Sequence, residues 1–271
     1  MKTGILTLTI ALLSSAFLSA DAQAADKPAL KDGFVPAKLV DSPVVEPEGT
    51  GWIKLFNGKD FTNWTGAEKN GVKFWRIVDG VIDCDAEKGK GSSLTSKKEY
   101  GDYILQVDWR FKGTAGKPYQ CKIILPDGSY KKDKAGKVIS VPTANADSGI
   151  YFRGTGQSQI NIWCWPVGSG ELWSFRKNKS AEVRAGCVPK VKADKPLGHW
   201  NKFIITAKGE TLTVQLNDKT VIDNVTLPGV GKTGKIVLQH HGGYNAKSKS
   251  WSPASSLIQF RNIWIKPLDK K

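Results

Sequence analysis

Short runs of alternating apolar and polar residues, separated by Gly, Asp-Gly or Asn-Asp turns, follow one another through most of the chain. The run "FIITAKGETLTVQLNDKTVID" predicts three consecutive antiparallel strands, and "VKFWRIVDGVIDC" predicts a hairpin that turns at Asp79-Gly80. Beyond the N-terminal residues, no apolar run of helical period exceeds two turns. The pattern predicts an all-β fold, a two-sheet jelly-roll sandwich in which one curved sheet holds ligands on its concave outer face.

The first 24 residues have the pattern of a signal peptide. An apolar run after Lys2 ends ahead of Ala22-Gln23-Ala24, which has the A-x-A form of a signal-peptidase site. The run is shorter than the roughly 20 residues that span a bilayer, so we expect no membrane attachment after cleavage. We predict an exported protein, periplasmic or secreted. Residues 25–50 are predicted to be an extended leader or linker, and residues 51–268 a single globular domain.

The chain is strongly basic, with 40 Lys and Arg against 25 Asp and Glu and a net charge of +15. Such a charge suits an anionic glycan, a cell-wall polymer or nucleic acid, but it also describes a solvated, lysine-rich surface. The lysines are scattered through turns and form no basic helix, so we expect no nucleic-acid partner.

Four cysteines allow three disulfide pairings, which the sequence does not separate, at Cys84, Cys121, Cys164 and Cys187. They include no C-x-x-C spacing, so we expect no structural zinc site. Disulfides are permitted in an exported protein, and a buried thiol at Cys164 is equally open.

The stretch "DSGIYFRGTGQSQINIWCW", residues 147–165, predicts two strands with polar and aromatic outer faces. Alternation turns the isoleucines of both runs toward the core. The opposite faces carry side chains suited to a sugar, namely Tyr151, Arg153, Gln159, Asn161 and Trp163. In "KIVLQHH", Gln239 and His241 share one strand face while His240 lies on the other, so we do not expect the two histidines to bind one metal ion together.

Six segments, in order, resemble the 3-keto-disaccharide hydrolase family over roughly residues 50 to 268. They are "GWIKLFNGKDFTNW", "KKEYGDYILQVDWRF", "DSGIYFRG", "GHWNKFIITAKGETLTVQLNDKTV", "GKIVLQHHGG" and "LIQFRNIWIKPL". The resemblance implies a concanavalin A-like jelly roll of the lectin and glucanase type, and cleavage of glycosides whose sugar carries a ketone at C3. The chain departs from the family pattern by an insertion at about residues 112–146.

A 3-keto sugar calls for its own chemistry. The ketone acidifies the hydrogen on C2, so a base removes it, the leaving group departs from C1, and water adds back. One base, one stabiliser of the enolate oxygen and one proton donor suffice. We expect no organic cofactor, because no nucleotide-binding loop is present. A divalent cation such as calcium, bound by Asp side chains and carbonyls, stays open.

We predict His241 as the base or acid, Arg153 as the clamp on the enolate oxygen or a hydroxyl, and Asp108 as a partner that orients one of them. For Arg153 and Asp108 the alternative is a cross-strand salt bridge on a wet sheet. The predicted substrate-binding residues fall into three groups. Amides for sugar hydroxyls are Gln159, Asn161 and Gln239, stacking rings are Tyr151 and Trp163, and groups that close the cleft are Glu171, as a second acid, and Arg261.

Two other functions fit the same sequence. A non-catalytic carbohydrate-binding module would use the same aromatic and amide face without any chemistry. A conventional glycoside hydrolase needs two carboxyl groups across the scissile bond. The only acids at alternate positions of a predicted strand are Asp83 and Asp85, which end a strand and suit a solvated turn better.

Overall fold

Twenty-one strands and one α-helix are formed by the residues that the computed structural model describes, which are 33–154, 156–178 and 180–268. In chain order the strands are β1 (Phe34–Pro36), β2 (Ile53–Lys54), β3 (Trp64–Thr65), β4 (Glu68–Lys69), β5 (Val72–Lys73), β6 (Trp75–Val78), β7 (Val81–Cys84), β8 (Leu94–Tyr100), β9 (Tyr103–Phe111), β10 (Gly113–Ala115), β11 (Tyr119–Lys122), β12 (Ser140–Thr143), β13 (Asp147–Tyr151), β14 (Gln159–Trp163), β15 (Asn201–Lys208), β16 (Thr211–Leu216), β17 (Lys219–Thr226), β18 (Gly234–Leu238), β19 (Tyr244–Asn245), β20 (Ser250–Trp251) and β21 (Ile258–Pro267). The helix is α1 (Ala181–Gly186), and single 3₁₀ turns occur at Ala86–Lys88, Gly156–Ser158 and Phe175–Lys177.

Two antiparallel sheets make up the body of the fold. The larger sheet has the order β17-β16-β15-β9-β21-β7-β6, with β2 paired to β21. The smaller sheet has the order β14-β13-β18-β8-β3. Strands β15, β16 and β17 are the meander that "FIITAKGETLTVQLNDKTVID" predicts. The predicted all-β, two-sheet jelly-roll sandwich is confirmed.

Alternating side chains of both sheets fill the core between them. On β9 the inward residues Tyr103, Leu105 and Val107 are fully buried, and on β14 so are Ile160 and Ile162. Each such side chain stabilises the sandwich by about 1.5–3 kcal/mol through the apolar surface that it removes from water. The alternation that the sequence shows in these runs is the alternation of the folded strands.

The segment that precedes the first sheet strands packs on the outer face of the larger sheet. Strand β1 pairs with β10, and Asp41 accepts a hydrogen bond of 3.0 Å from Arg110. Arg261 donates to the carbonyl oxygen of Ser42 at 2.8 Å, and Gln106 to that of Val45 at 2.9 Å. From residue 33 onward the predicted leader packs against the sandwich, and residues 33–50 are called the N-terminal strap below. The predicted signal peptide lies outside the described residues.

A hairpin arm, defined here as residues 119–143, stands beside the smaller sheet. Its base is the pair β11 and β12, and bridges at Ile124 to Tyr130 and Lys132 to Val138 continue it outward. The arm lies within the predicted insertion and forms a wall along the outer face of β14 and β13. Within the described part of the chain, no helix is long and apolar enough to cross a membrane.

Candidate functional site

A cleft of about 500 Å³ opens on the outer face of the smaller sheet, between β13, β14 and β18 on one side and the hairpin arm on the other. Its floor combines amides, an acid and a histidine, which are Gln159, Asn161, Gln239, Asp147 and His241. Its walls carry aromatic rings and two lysines, which are Tyr119, Tyr130, Trp163, Trp165, Trp173, Lys122 and Lys177. The structure thus brings together five residues that the sequence predicts for the site, Gln159, Asn161, Trp163, Gln239 and His241, and adds Asp147.

Hydrogen bonds fix the amides of the floor. Gln159 Nε2 donates to Gln239 Oε1 at 2.9 Å, and Gln239 Nε2 donates to the hydroxyl of Tyr151 at 2.8 Å. Each amide nitrogen keeps a second N–H, so the groups are oriented and still able to bind a ligand. Gly149 leaves the space that Gln159 occupies, because a Cβ at residue 149 would lie 2.6 Å from Gln159 Nε2. The sequence predicts that Tyr151 stacks on a sugar. In the structure its hydroxyl accepts the last hydrogen bond of this chain, from Gln239.

Glu171 lies beneath the floor and does not line the cleft. It is fully buried and accepts hydrogen bonds from Asn161 Nδ2 and Arg176 Nε. Burial, opposed by the charge of Arg176, raises the pKa of Glu171 to about 7. The prediction that Glu171 reaches the cleft as a second acid is wrong, because its carboxylate is enclosed by the groups that it orients.

Asp147 is the acid of the cleft. It begins β13, is half-buried and lines the cavity. Burial, reinforced by the negative charge of Glu171, raises the pKa of Asp147 to about 8. Sequence reasoning missed it, although the signal was present: Asp147 is two residues before Gly149 and four before Tyr151, so it shares their strand face.

His241 follows β18 by three residues and lines the same cleft as Asp147. The ring nitrogen Nδ1 is 2.5 Å from the carbonyl oxygen of Ala254, which only accepts, so Nδ1 carries the proton and Nε2 has the free lone pair. The hydroxyl of Ser256 accepts from the backbone N–H of His241 at 2.6 Å and donates to the carbonyl of Asp147 at 3.0 Å. One serine thus joins the backbones of both ionisable residues.

Gly242, which follows His241, is required by packing and not by a ligand. Its φ is +61°, and a Cβ at this position would lie 2.6 Å from the carbonyl oxygen of Ala254. Gly243 is equally enclosed, since a Cβ there would lie 2.4 Å from the carbonyl oxygen of Gly89. Protein backbone therefore fills the space beside both glycines.

The walls supply stacking surfaces and positive charge. Trp163 and Trp165 stack with centroids 4.1 Å apart and planes 8° from parallel, so one face of Trp163 is already covered. The ammonium group of Lys122 lies 4.8 Å from the ring centroid of Tyr130, and that of Lys177 lies over the ring of Trp173. These lysines are the cations that line the cleft in the described residues.

Arg153 does not share the floor with the amides. Strand β13 ends at Tyr151, and the guanidinium of Arg153 is buried away from the cleft. It donates to three carbonyl oxygens and to the carboxylate of Asp102, the carbonyls being those of Gly101, Gly209 and Gly231. The predicted clamp is therefore wrong in its placement, because this arginine ties three loops together.

Asp108 and Arg261 lie on the larger sheet, on the opposite side of the sandwich from the cleft. Arg261 Nε is 3.6 Å from Asp108 Oδ2, and Asn262 Nδ2 donates to the same oxygen at 3.2 Å. Burial raises the pKa of Asp108. The predictions that Asp108 and Arg261 belong to the sugar site are therefore wrong. Both side chains point outward, but from the larger sheet, where the N-terminal strap covers them.

The four cysteines form no disulfide bonds, and the described residues include no cluster that could hold a metal ion. Cys84, Cys121, Cys164 and Cys187 are all free thiols, and only Cys164 is partly exposed. Among the described residues, no group of three or more His, Cys, Asp or Glu side chains is arranged to hold a metal ion. The cleft itself offers one carboxyl and one imidazole for such a purpose.

Comparison with known proteins gives one family match. The model of the 3-keto-alpha-glucoside-1,2-lyase-like domain matches residues 51–266. A 3-keto-disaccharide hydrolase from Bacteroides thetaiotaomicron is 26% identical over 197 residues, which cover 69% of this chain and 63% of that protein. The match thus spans less than two thirds of the relative's length.

Two solved structures are also similar. A proposed glycosyl hydrolase from Parabacteroides distasonis is 21% identical, with a TM-score of 0.49, over 81% of this chain and 94% of that one. A carbohydrate-binding module from Bacillus subtilis is 13% identical, with a TM-score of 0.40, over 76% of this chain and 96% of that one.

Proposed function

The chain belongs to the family of 3-keto-alpha-glucoside-1,2-lyase-like domains, and from that premise we propose that it is an exported enzyme that cleaves 3-keto-glycosides by elimination and hydration. The observation that carries the proposal is the pairing of Asp147 with His241 at one cleft. The carboxyl of Asp147, with a pKa of about 8, supplies an acid, and the imidazole of His241, whose Nδ1 donates to the Ala254 carbonyl, supplies Nε2 as the base.

The two groups divide the proton transfers. His241 Nε2 takes the proton from C2 of the oxidised sugar, and the electron pair moves into the enolate of the C3 ketone. The enolate then expels the C1 oxygen, the C1–O bond breaks, and the protonated carboxyl of Asp147 gives its proton to the leaving oxygen. Water then adds across the resulting C1–C2 double bond: its oxygen bonds to C1 as the Asp147 carboxylate takes one of its protons, and His241 returns its own proton to C2, which restores both groups to their starting states.

The enolate oxygen needs a hydrogen-bond donor or a cation, and Arg153 is buried away from the cleft and does not reach it. Lys122 and Lys177 line the cleft and supply positive potential there. Gln159, Asn161 and Gln239 offer their remaining N–H and C=O groups to sugar hydroxyls. Tyr119, Trp165 and Trp173 offer faces or edges on which a pyranose packs.

The proposed partner is an oligosaccharide or glycoside, with anionic glycans favoured by the cleft lysines and the net charge of +15. Nothing in the proposed steps calls for an organic cofactor. Export rests on the N-terminal pattern of the first 24 residues. Immunoblotting of cell fractions for the mature chain tests it, and a chain that stays in the cytoplasm with its first 24 residues intact would contradict it.

Turnover of matched substrates tests the reaction. p-Nitrophenyl 3-keto-α-glucoside and its unoxidised parent differ only at C3, so the proposed mechanism predicts that the first is cleaved and the second is not. Rapid quenching should trap the 2-hydroxy-3-keto-glucal that elimination forms. Equal cleavage of both substrates would support a conventional glycoside hydrolase, although only Asp147 carries a carboxyl among the described residues that line the cleft.

The second candidate is a non-catalytic carbohydrate-binding module, which the aromatic walls and oriented amides of the cleft also suit. Replacement of His241 by Ala separates the two. Loss of turnover with glycan binding retained is the result expected of the enzyme. Glycan binding by the wild-type protein with no turnover of any 3-keto substrate is the result expected of the module.

A further inference from the structure

A second groove, of about 640 Å³, adjoins the cleft at the base of the hairpin arm. It is bordered by Gly33, Gly116 and Pro118 on one side and by Trp251 and Pro253 on the other. Its lining is mainly apolar, with an indole and two prolines, and no step of the proposed reaction uses it. Apolar rings with a few polar groups beside them are typical of sites that bind the faces of sugars.

The groove and the cleft share their walls. Tyr119 and Gln120 line both cavities, and the adjacent residues Pro253 and Ala254 line the groove and the cleft respectively. The carbonyl of Ala254 is also the acceptor for His241 Nδ1. A ligand that begins beside His241 therefore meets the groove without crossing another part of the protein.

Trp251 is packed firmly beside the groove and is 8% exposed, so only a part of its indole reaches the cavity. Its ring packs edge-on against Tyr244, with centroids 5.5 Å apart, and is tilted against Phe34 at 6.2 Å. Gly116 lies against it with no side chain, and a Cβ there would be 3.1 Å from Trp251 Cβ. Two exposed lysines, Lys117 and Lys249, border the same groove.

We propose that this groove is a second sugar subsite, which binds the residues of an oligosaccharide on the leaving-group side of the cleaved bond. The inference rests on the proposed function, because a 3-keto sugar at the non-reducing end has all further residues on that side. Trp251 packs on a pyranose face, Gln120 bonds its hydroxyls, and Lys117 with Lys249 favour a residue that carries an acidic group. The preferred substrate is then longer than a disaccharide and anionic at its far end.

Chain length is the variable that tests the subsite. The substrates are 3-ketomaltose, 3-ketomaltotetraose and the aldonic acid made by oxidising the reducing end of 3-ketomaltotetraose. We expect KM to fall about tenfold from the disaccharide to the tetrasaccharide, and about threefold more for the acid at low salt. p-Nitrophenyl 3-keto-α-glucoside is too short to reach the groove and reports the cleft alone.

Two variants assign the effect to the groove. Trp251→Ala should remove the gain from chain length, and Lys117→Glu with Lys249→Glu should remove the preference for the acid. Lys134→Glu with Lys137→Glu is the matched control, because both residues are exposed on the arm and line neither cavity. Melting temperatures identify any variant that fails to fold. If Trp251→Ala fails to fold, the double variant Lys117→Glu with Lys249→Glu still tests the subsite through the preference for the acid.

The two proposals fail in different ways. No turnover of the p-nitrophenyl substrate would overturn the proposed reaction. Normal turnover of that substrate with equal KM for the disaccharide and tetrasaccharide would overturn the subsite alone. A gain from chain length that survives both groove variants would also overturn it.

Discussion

The carboxyl of Asp147 is kept neutral where an ordinary aspartate would be ionised. It lies near the buried carboxylate of Glu171, and its surroundings remove it from water. An acid in that state is able to give a proton to a leaving group at neutral pH. The same environment makes Asp147 a destabilising residue once it ionises, so function and stability oppose each other at this position.

Asp147→Asn should separate these two effects. The folded-state pKa is raised from 3.8 to about 8, so the stabilisation is present below pH 4 and is lost as the pH rises through 8. The variant should therefore match the wild type at pH 4 and exceed its free energy of unfolding by several kcal/mol at pH 8, because each unit of the pKa difference corresponds to about 1.4 kcal/mol. Its kcat should fall about a hundredfold. Urea titrations at both pH values check the first expectation, and equal stability at pH 8 would contradict the raised pKa.

Wild-type activity should also fall above about pH 8, as Asp147 loses its proton. The pH profile of kcat/KM measures this alkaline limb. In Asp147→Asn the residual activity should have no such limb, and a limb that persists with the same midpoint would assign it to another group.

Gly242→Ala tests how His241 is oriented. The new Cβ would press on the Ala254 carbonyl that receives the proton of Nδ1, so we expect kcat to fall about tenfold, beyond a backbone penalty of about 1 kcal/mol. Gly136→Ala is the matched control, because Gly136 has a φ of +81° and nothing within 4 Å of the added Cβ. Equal kcat in both variants would mean that the Ala254 contact does not matter for turnover.

At the scale of elements, one buried ion pair joins the floor of the cleft to its wall. Arg176 binds Glu171, and it also donates to the carbonyl of Gly128 and the hydroxyl of Tyr130, both at 2.9 Å. Glu171 in turn holds the side chain of Asn161. The hairpin arm is thus bonded to β14 through three polar groups, and its distance from the floor sets the width of the cleft.

Tyr130→Phe should loosen this connection without changing the reacting groups. The loss of a charge-assisted hydrogen bond of about 1 kcal/mol should raise KM for the p-nitrophenyl substrate about fivefold and leave kcat nearly unchanged. Tyr100→Phe, which removes a hydroxyl from a residue outside the cleft, is the control. A fall in kcat with constant KM would instead give Tyr130 a part in the chemistry.

The sequence predicts the strands, their inward faces and most of the floor, because alternation is a local property of a strand. It fails for Arg153 because the strand ends two residues earlier, at Tyr151, and alternation has no meaning beyond that point. It fails for Asp108 and Arg261 because a sandwich has two outer faces, and only the long-range pairing decides which strand belongs to which sheet. Glu171 lies in a loop, where no periodicity applies.

At the scale of the whole molecule, the part of the strap from Asp41 onward lies on the larger sheet, on the outer face opposite the cleft, while its first residues reach the groove beside Trp251. The strap covers charged groups of the larger sheet, including Arg110, which donates to Asp41, and Arg261, which donates to Ser42. These hydrogen bonds and the sheet surface that the strap covers both stabilise the fold. The sandwich therefore depends on the strap for stability, while the chemistry is carried by the other sheet.

A chain that begins at residue 47 should show this division. We expect a melting temperature lower by about 5 °C or more, since the strap's hydrogen bonds and its β1 pairing are lost. Turnover of the p-nitrophenyl substrate should stay within about twofold of the wild type at a temperature where both chains are folded. An unchanged melting temperature would show that the strap does not stabilise the sheet.

The fate of the hydrogen on C2 is the most direct test of proton transfer at the cleft. In D₂O, elimination followed by hydration places one solvent deuterium on C2 of the 3-keto-glucose released from p-nitrophenyl 3-keto-α-glucoside, because the imidazolium of His241 exchanges its proton with solvent before it returns one to C2. NMR of the first product, corrected with authentic 3-keto-glucose incubated for the same time, measures it. We predict deuterium at C2 with the wild-type protein and no product with His241→Ala. Product that retains its original hydrogen at C2, with no 2-hydroxy-3-keto-glucal trapped by rapid quenching, would contradict the proposed reaction.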